Sequence, residues 1–254
     1  MKKSKIILGD CIKILDKFKD ESIQIIITSP PYNIGKDYEK KVALSDYLKW
    51  QSDVVEKCAM KLKDEGSIFW QVGNYVNNGV VAPLDILLYP IFDRLKLKLR
   101  NRIIWTFGHG LHCSRRFSGR HEAILWFTKS DNYVFNLDPI RIPQKYPEKK
   151  YYKGPNKGKY SCNPLGKNPS DVWNITNVKA HHPEKTSHPC QFPEELVRRI
   201  ILSCSNQGDV VFDPFLGSGT TVVVANKLKR IGVGCDVVKD YVNIARARLA
   251  KRRD

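Results

Sequence analysis

Short apolar runs alternate with longer amphipathic stretches along most of the chain. Lys5 to Leu8 reads as a strand, Ile12 to Phe18 as an amphipathic helix, and Ile23 to Ile27 as a strand buried on both faces. Leu44, Tyr47, Leu48, Val54, Val55, Cys58 and Leu62 recur at helical spacing, and Ser67 to Val72 follows as a strand. Leu84 to Leu95 predicts a helix; Arg102 to Phe107 and Ala123 to Thr128 predict two strands. Near the C-terminus the pattern gives helix Pro193 to Ser203, strand Val210 to Phe212, helix Thr220 to Leu228, strand Ile231 to Cys235 and helix Tyr241 to Leu249. Strands alternating with helices predict an α/β fold with a mainly parallel sheet. The sequence contains no internal repeat.

The stretch from Pro139 to Ser170 breaks this pattern, with six prolines, three glycines and Glu148 as its one acidic residue. Lys145, Lys149, Lys150, Lys153, Lys157 and Lys159 are interleaved there with Tyr146, Tyr151, Tyr152 and Tyr160. That mixture suits a surface that grips phosphates and stacks bases, and equally a solvated loop. Arg115, Arg116 and Arg120 are further candidates for phosphate contact, whereas Lys251-Arg252-Arg253 reads as a frayed helix end.

At 254 residues and 42% hydrophobic content the chain suffices for one sizeable core and a small accessory lobe. Forty-three Lys and Arg against 26 Asp and Glu leave +17, with a pI near 9.6. That excess points to a polyanionic partner, nucleic acid first. No apolar run has the length of a membrane span, and the N-terminus lacks the apolar stretch of a secretory signal, so a cytoplasmic location is expected. The seven cysteines are scattered, without a CxxC pair or zinc spacing; reduced thiols and no metal are expected.

Two motifs concentrate the chemistry. Thr28-Ser29-Pro30-Pro31-Tyr32-Asn33 follows a buried strand, and Asp213-Pro214-Phe215-Leu216-Gly217-Ser218-Gly219-Thr220-Thr221 lies between a strand and a helix. Ligands of open α/β sheets bind at the carboxyl ends of strands, so both motifs belong on one edge. Gly217 and Gly219 allow a tight turn and close backbone approach at a helix start with free N–H groups. Asp236, ending the next strand, can grip ribose hydroxyls, and Asp10, ending the first strand before Cys11, can accept from an adenine amino group. Each aspartate alone also suits a helix N-cap. A P-loop is excluded because no Gly-Lys-Ser/Thr follows the glycines. In Ser29-Pro30-Pro31-Tyr32 the prolines fix the backbone and remove two donors. An exocyclic base amine is a poor nucleophile because its lone pair is delocalised. A hydroxyl and a rigid carbonyl accepting its N–H bonds draw that nitrogen towards tetrahedral shape. Tyr32 offers a face to an extruded base.

On these residues the chain resembles the amino-methylating DNA methyltransferases. Ser29-Pro30-Pro31-Tyr32 is similar to their catalytic motif and Asp213 to Gly219 to their S-adenosylmethionine loop. Lys185 to Leu196, His121 to Lys129 and Ser170 to Ile175 resemble further family segments. Catalytic motif first and cofactor loop last is the order of the family's β group. The resemblance spans nearly the whole chain and is weakest over residues 131–169. It implies a class I methyltransferase fold, Rossmann-like, with a seven-stranded, mostly parallel sheet, helices on both faces, a late antiparallel hairpin, and both chain ends completing one sheet. It implies a catalytic domain in two parts, 1–130 and 185–254, around a target-recognition insertion at 131–184. Ser29 and the Pro30 carbonyl would accept from the amine, with Pro31 and Tyr32 completing the catalytic site. Asp10, Cys11, Asp213, Pro214, Phe215, Gly217, Ser218, Gly219, Thr220 and Asp236 would surround S-adenosylmethionine. His188, Pro189 and Gln191 follow as lesser contributors, His188 fitting a structural role as well as a ligand role. Arg115, Arg116, Arg120, Lys149, Lys150 and Lys153 would meet double-stranded DNA.

Ser at position 29 and Phe at position 192 resemble the family's N4-cytosine branch; N6-adenine methylation, by the same mechanism, is the alternative. Pro189-Cys190 suggests a thiolate attacking cytosine carbon-5, but it precedes the glycine loop, and Cys190 reads as structural or near the cofactor. An RNA methyltransferase and a non-catalytic nucleic-acid-binding module are further alternatives. The resemblance also implies a restriction–modification setting with a cognate endonuclease, as a monomer or homodimer.

Overall fold

The computed structural model describes residues 3–35, 39, 41–108, 110 and 112–251. Arg252 and Arg253, read above as part of a frayed helix end, lie outside the described residues. In chain order the elements begin with β1 (Lys5–Leu8), α1 (Cys11–Leu15), β2 (Ile23–Thr28), α2 (Leu44–Lys61) and β3 (Leu62–Val72). There follow β4 (Asn74–Asn77), β5 (Val80–Pro83), α3 (Leu84–Arg94), β6 (Lys98–Thr106), β7 (His121–Thr128) and β8 (Val172–Asn174). The last are α4 (Glu194–Cys204), β9 (Val210–Asp213), α5 (Thr220–Lys227), β10 (Ile231–Asp236) and α6 (Lys239–Ala250).

One eight-stranded sheet carries the molecule, in the order β1-β10-β9-β2-β3-β7-β6-β8. β7 alone runs antiparallel to its neighbours β3 and β6, while the other pairings are parallel. Seven strands are expected from the sequence. The eighth is the three-residue edge strand β8, too short for any periodicity to reveal. The antiparallel pair β6–β7 falls mid-chain rather than late, because the parallel strands β9 and β10, with the glycine loop between them, follow it in sequence. β1 pairs in register with β10, Lys5 opposite Val233 and Leu8 opposite Asp236, so the two chain ends do complete one sheet.

Alternation of side chains sorts the core onto two faces. Ile26 of β2, Ile68, Trp70 and Val72 of β3, and Phe127 of β7 pack with Val54, Val55 and Cys58 of α2 and Leu88 and Phe92 of α3. Ile25 and Ile27, Phe69, and Ile124 and Trp126 point the other way, onto Leu196, Val197, Ile200 and Ile201 of α4 and Val224 and Ala225 of α5. Full burial of β2 on both faces explains its unbroken apolar sequence.

Two elements depart from the periodicity. β3 starts five residues early, at Leu62, through the polar run Lys63-Asp64-Glu65, with a register shift between Ile23 and Ile25 of its partner β2. The hairpin β4–β5 turns on Asn78 (φ 48°) and Gly79 (φ 80°), a two-residue turn that needs positive φ at both positions. The stretch 131–169 forms little regular structure. It is tied by mutual backbone hydrogen bonds between Ile142 and Lys167 (3.0 and 2.9 Å) and a bridge of Lys150 to Tyr160.

Candidate active site

β2 and β9 lie side by side and parallel, Ile25 opposite Val211 and Ile26 opposite Phe212, so both motifs leave the sheet from adjacent strand ends. Thr28 closes β2 and Asp213 closes β9. Between them, 185 residues apart in sequence, runs a buried hydrogen bond from Thr28 Oγ1 to Asp213 Oδ1 at 2.7 Å. The same oxygen accepts the Phe215 N–H at 3.1 Å. Burial pushes the Asp213 carboxyl up to about 6, against the pull of these donors. Asp213 therefore ties the two loops together from beneath.

Above them opens a cavity of about 620 Å³. Ser29, Pro30, Pro31 and Tyr32 line it together with Pro214, Phe215, Gly217, Ser218 and Thr220, and Asp10, Cys11, Asp236 and His188 complete the set expected from sequence. Asp213 and Gly219, also expected at the cofactor, do not line it. Gly219, at φ 80°, sits where an added Cβ would lie 2.6 Å from Ala245 Cβ, so it lets the start of α5 approach α6. At Gly217 (φ 49°) an added Cβ would lie 2.9 Å from His188 Nε2.

Two carboxylates frame one end. Asp236 Oδ2 accepts the Gly217 N–H and Oδ1 the Val238 N–H, each at 2.9 Å, and burial raises its pKa. Asp10 caps α1, its Oδ1 accepting from Ile12 and Lys13 N–H at 3.1 Å. The cap role and the cavity-lining role thus coincide in Asp10, whereas Asp236, also expected to suit a cap, does not cap α6, whose N-cap is Val238 without a side-chain bond. Cys11 beneath them is a buried thiol, pushed by burial up to about 12, and so stays protonated. Arg248 of α6 holds the glycine loop from behind, donating to the Ser218 carbonyl (2.9 Å) and to Thr220 Oγ1 (3.0 Å). His188 packs edge-on against Tyr241 with ring centroids 4.3 Å apart, and its Nδ1 accepts the Cys190 N–H at 3.2 Å. Burial lowers its pKa to about 4, so the imidazole is neutral.

The other end is built from the proline motif. Tyr47 Oη donates to the Pro31 carbonyl at 2.9 Å, whereas no described protein donor reaches the Pro30 carbonyl. Asn33, at φ 60°, clamps the following loop: Nδ2 donates to the Val42 carbonyl (2.8 Å) and Oδ1 accepts the Val42 N–H (2.7 Å). Ser29 Oγ meets Tyr32 Oη at 3.1 Å. Tyr32 Oη also accepts from Gln71 Nε2 at 2.7 Å and donates to Glu122 Oε2 at 3.3 Å, and Gln71 donates to Glu122 as well. Burial pushes the Glu122 carboxyl up to about 7.

Several lining residues were not legible as site residues in the sequence. Gln71 and Glu122 come from adjacent strands, and only the β3–β7 register brings them together. Trp50 of α2 reaches Phe215 with centroids 5.3 Å apart, a contact between elements 165 residues apart. Asn177 also lines the cavity, its Oδ1 buried without a hydrogen-bond partner among the described residues, so the wall offers an acceptor to whatever binds. Cys190 is exposed at the cavity wall, not packed in the core.

The nucleic-acid candidates stand apart from the cavity. Arg115 and Arg116 are exposed and Arg120 half-buried on the loop joining β6 to β7, a loop that begins beside the cavity-lining Phe107. Phe107 N–H donates to the Arg120 carbonyl at 3.0 Å. Lys149, Lys150 and Lys153 are exposed, with Lys150 Nζ 5.3 Å from the centre of the Tyr160 ring. Among the described residues no helix is long and apolar enough to cross a membrane, and no cluster of His, Cys, Asp or Glu could hold a metal.

The donors fit an adenosyl sulfonium. Two carboxylates sit at adjacent strand ends, a glycine turn leaves no room for a Cβ, and the Phe215 and Trp50 rings face a cavity of suitable size. Sheet order and site together define a Rossmann-like methyltransferase that uses S-adenosylmethionine. More narrowly, the chain belongs to the N6/N4 methyltransferase family described as DNA methylase, whose model matches residues 23–247; it is a DNA methyltransferase. The Type II methyltransferase M.BglII of Bacillus subtilis is 52% identical over 243 residues, covering 95% of this chain and 68% of the relative. Among solved structures, the cytosine-N4-specific PvuII DNA methyltransferase superposes with a TM-score of 0.79 at 20% identity, over 98% of this chain and 86% of that one. A putative DNA modification methylase of Thermus thermophilus, solved in complex with S-adenosyl-L-methionine, gives a TM-score of 0.69 at 23% identity, over 98% and 93%.

Proposed function

We propose that the protein methylates the exocyclic N4 of cytosine in double-stranded DNA, at a specific site, after turning the target base out of the duplex. The observation that carries this reading is the convergence of Ser29, Pro30 and Gly217 on one cavity, joined underneath by the bond from Thr28 to Asp213. S-adenosylmethionine, when bound, supplies an electrophilic methyl group. Asp236 and Asp10 would hold its ribose and adenine, Phe215 would pack against it, and the Gly217 turn would accommodate the methionine portion beside His188.

The chain's own residues prepare the nucleophile. Ser29 Oγ and the Pro30 carbonyl accept the two N–H bonds of the amine, which localises the lone pair and directs it into the cavity. Pro31 and Asn33 keep that carbonyl in place, the first through Tyr47 and the second through the Val42 clamp. Tyr32, held by Ser29, Gln71 and Glu122, offers its ring to the base. A base stacked in a duplex does not present its amino group to an enclosed site, so the reading includes its extrusion. In the proposed domain arrangement residues 1–130 and 185–254 form the catalytic part and target recognition falls within 131–184, although β8 and Asn177 from that stretch join the central sheet and the cavity wall. The exposed lysines and tyrosines of that stretch and the arginines of the β6–β7 loop would contact the duplex.

The family spans both N6 and N4 amines, so the choice of base rests on Ser29 and Phe192. Methylation of mixed-sequence DNA with methyl-labelled S-adenosylmethionine, followed by nucleoside analysis, tests it. Label in N4-methylcytosine is expected; label in N6-methyladenine overturns the base assignment.

A further inference from the structure

Behind Ser29 a chain of hydrogen bonds leads away from the nucleophile's site and ends on a carboxyl. Ser29 Oγ meets Tyr32 Oη at 3.1 Å, and Tyr32 Oη donates to Glu122 Oε2 at 3.3 Å. Gln71 Nε2 donates to both Tyr32 Oη and Glu122 Oε2, holding the pair in line. The residues come from the motif loop, from β3 and from the start of β7, and Glu122, Tyr32 and Ser29 all line the same cavity. The groups facing the carboxyl are Tyr32 from the motif loop, Gln71 from β3 and Trp105, its register partner, from β6. Tyr32 is in turn acted on by Cys190 and Tyr47. The hydrogen-bonding partners of Glu122 among the described residues are neutral, so no ion pair among them compensates its charge. A carboxylate kept in such a place carries a cost that a purely structural role would avoid by using glutamine.

We propose that Glu122 is the proton acceptor of the reaction, receiving the amine proton through Ser29 and Tyr32. The inference rests on the reading of Ser29 given above, for either base. The amine N–H breaks and its proton passes to Ser29 Oγ; the Ser29 hydroxyl proton passes to Tyr32 Oη; the Tyr32 proton passes to Glu122 Oε2. Both hydroxyls are regenerated, one N–H has been exchanged for one carboxyl O–H, and the carboxyl returns its proton to solvent before the next turnover. A carboxyl raised by burial to about 7 has the basicity a proton acceptor needs near neutral pH. Glu122 acts through its neighbours and is in that sense a positioned base, with Gln71 as its positioning residue.

Single-turnover methylation of duplex DNA, followed from pH 5.5 to 9, tests the relay in the wild type, Glu122→Gln and Tyr32→Phe. The wild type should show an acid limb with its midpoint near 7. Both variants should lose that limb and fall by about a hundredfold or more in rate, with binding of S-adenosylhomocysteine and DNA unchanged. Without substrate, the infrared difference between wild type and Glu122→Gln should contain a protonated-carboxyl band titrating near pH 7. Wild-type rate and an unchanged limb in Glu122→Gln would overturn the proposal. If that variant does not fold, the same result in Tyr32→Phe, which removes only a hydroxyl, overturns it. A wild-type protein that labels no DNA ends both this inference and the proposed function, whereas a methylating enzyme indifferent to both substitutions ends only the relay.

Discussion

Ser29 is the residue on which the chemistry turns, and its surroundings set the size of the effect expected on removing it. Its hydroxyl touches Tyr32 and faces the cavity, so Ser29→Ala deletes an acceptor without disturbing the core. Turnover should fall by about 10²–10³-fold, the usual cost of removing one preorganised polar group, while S-adenosylhomocysteine binding measured by calorimetry stays as it was. Cys190→Ala should retain most activity, since the amine attacks directly and no thiolate adduct forms; complete loss in a folded variant would restore the nucleophile reading. Glu122 also makes a stability prediction. Its carboxyl is raised from 4.5 to about 7 on folding, so the folded state holds the proton more tightly. The penalty is absent below pH 4.5, grows as pH rises through the window, and is complete above about 7. Glu122→Gln should therefore match the wild type in acid and exceed it at pH 8 by on the order of 3 kcal/mol, read as a higher melting temperature.

Among the elements, the glycine loop is fixed by more contacts than its sequence reveals. Asp236 holds Gly217 N–H, Arg248 holds Ser218 and Thr220, and the Thr28–Asp213 bond joins the loop to the proline motif. Gly217→Ala would place a Cβ 2.9 Å from His188 Nε2 in a left-handed backbone, and should weaken S-adenosylhomocysteine binding about tenfold or more while leaving DNA affinity alone. Gly219→Ala would instead meet Ala245 at 2.6 Å and should lower stability more than cofactor affinity, because it pushes α6 from the sheet. Much of this architecture was legible beforehand. Unbroken apolar runs such as Ile23 to Ile27 and amphipathic repeats such as Leu44 to Leu62 gave the strands and helices to within a few residues. The misses have physical causes. The early part of β3 is polar because the side chains of Asp64 and Glu65 are exposed to solvent, and β8 is three residues long. The β4–β5 hairpin carried a readable signal in Asn78-Gly79 that periodicity alone passes over. Gln71 and Glu122 look ordinary in sequence, and only strand register makes them a pair.

For the molecule as a whole, one sheet brings the two ends of the chain together and places both motifs on a single edge. The charge of +17 then acts at longer range. Replacing Lys149, Lys150 and Lys153 together by Ala should weaken DNA binding and flatten its dependence on log salt by about two to three units, if each contacts one phosphate. Unchanged salt dependence would remove that stretch from the DNA interface. Everything proposed for the reaction requires that the sulfonium donor and the extruded base meet in one cavity between Gly217 and Ser29. The most direct test is a crystal structure with S-adenosylhomocysteine and a duplex containing the target site. The sulfur should lie beside the Gly217 turn, facing an extruded base whose amino group donates to Ser29 Oγ and the Pro30 carbonyl. An extruded base whose amine lies away from both, or a cofactor bound outside the shared cavity, would contradict it.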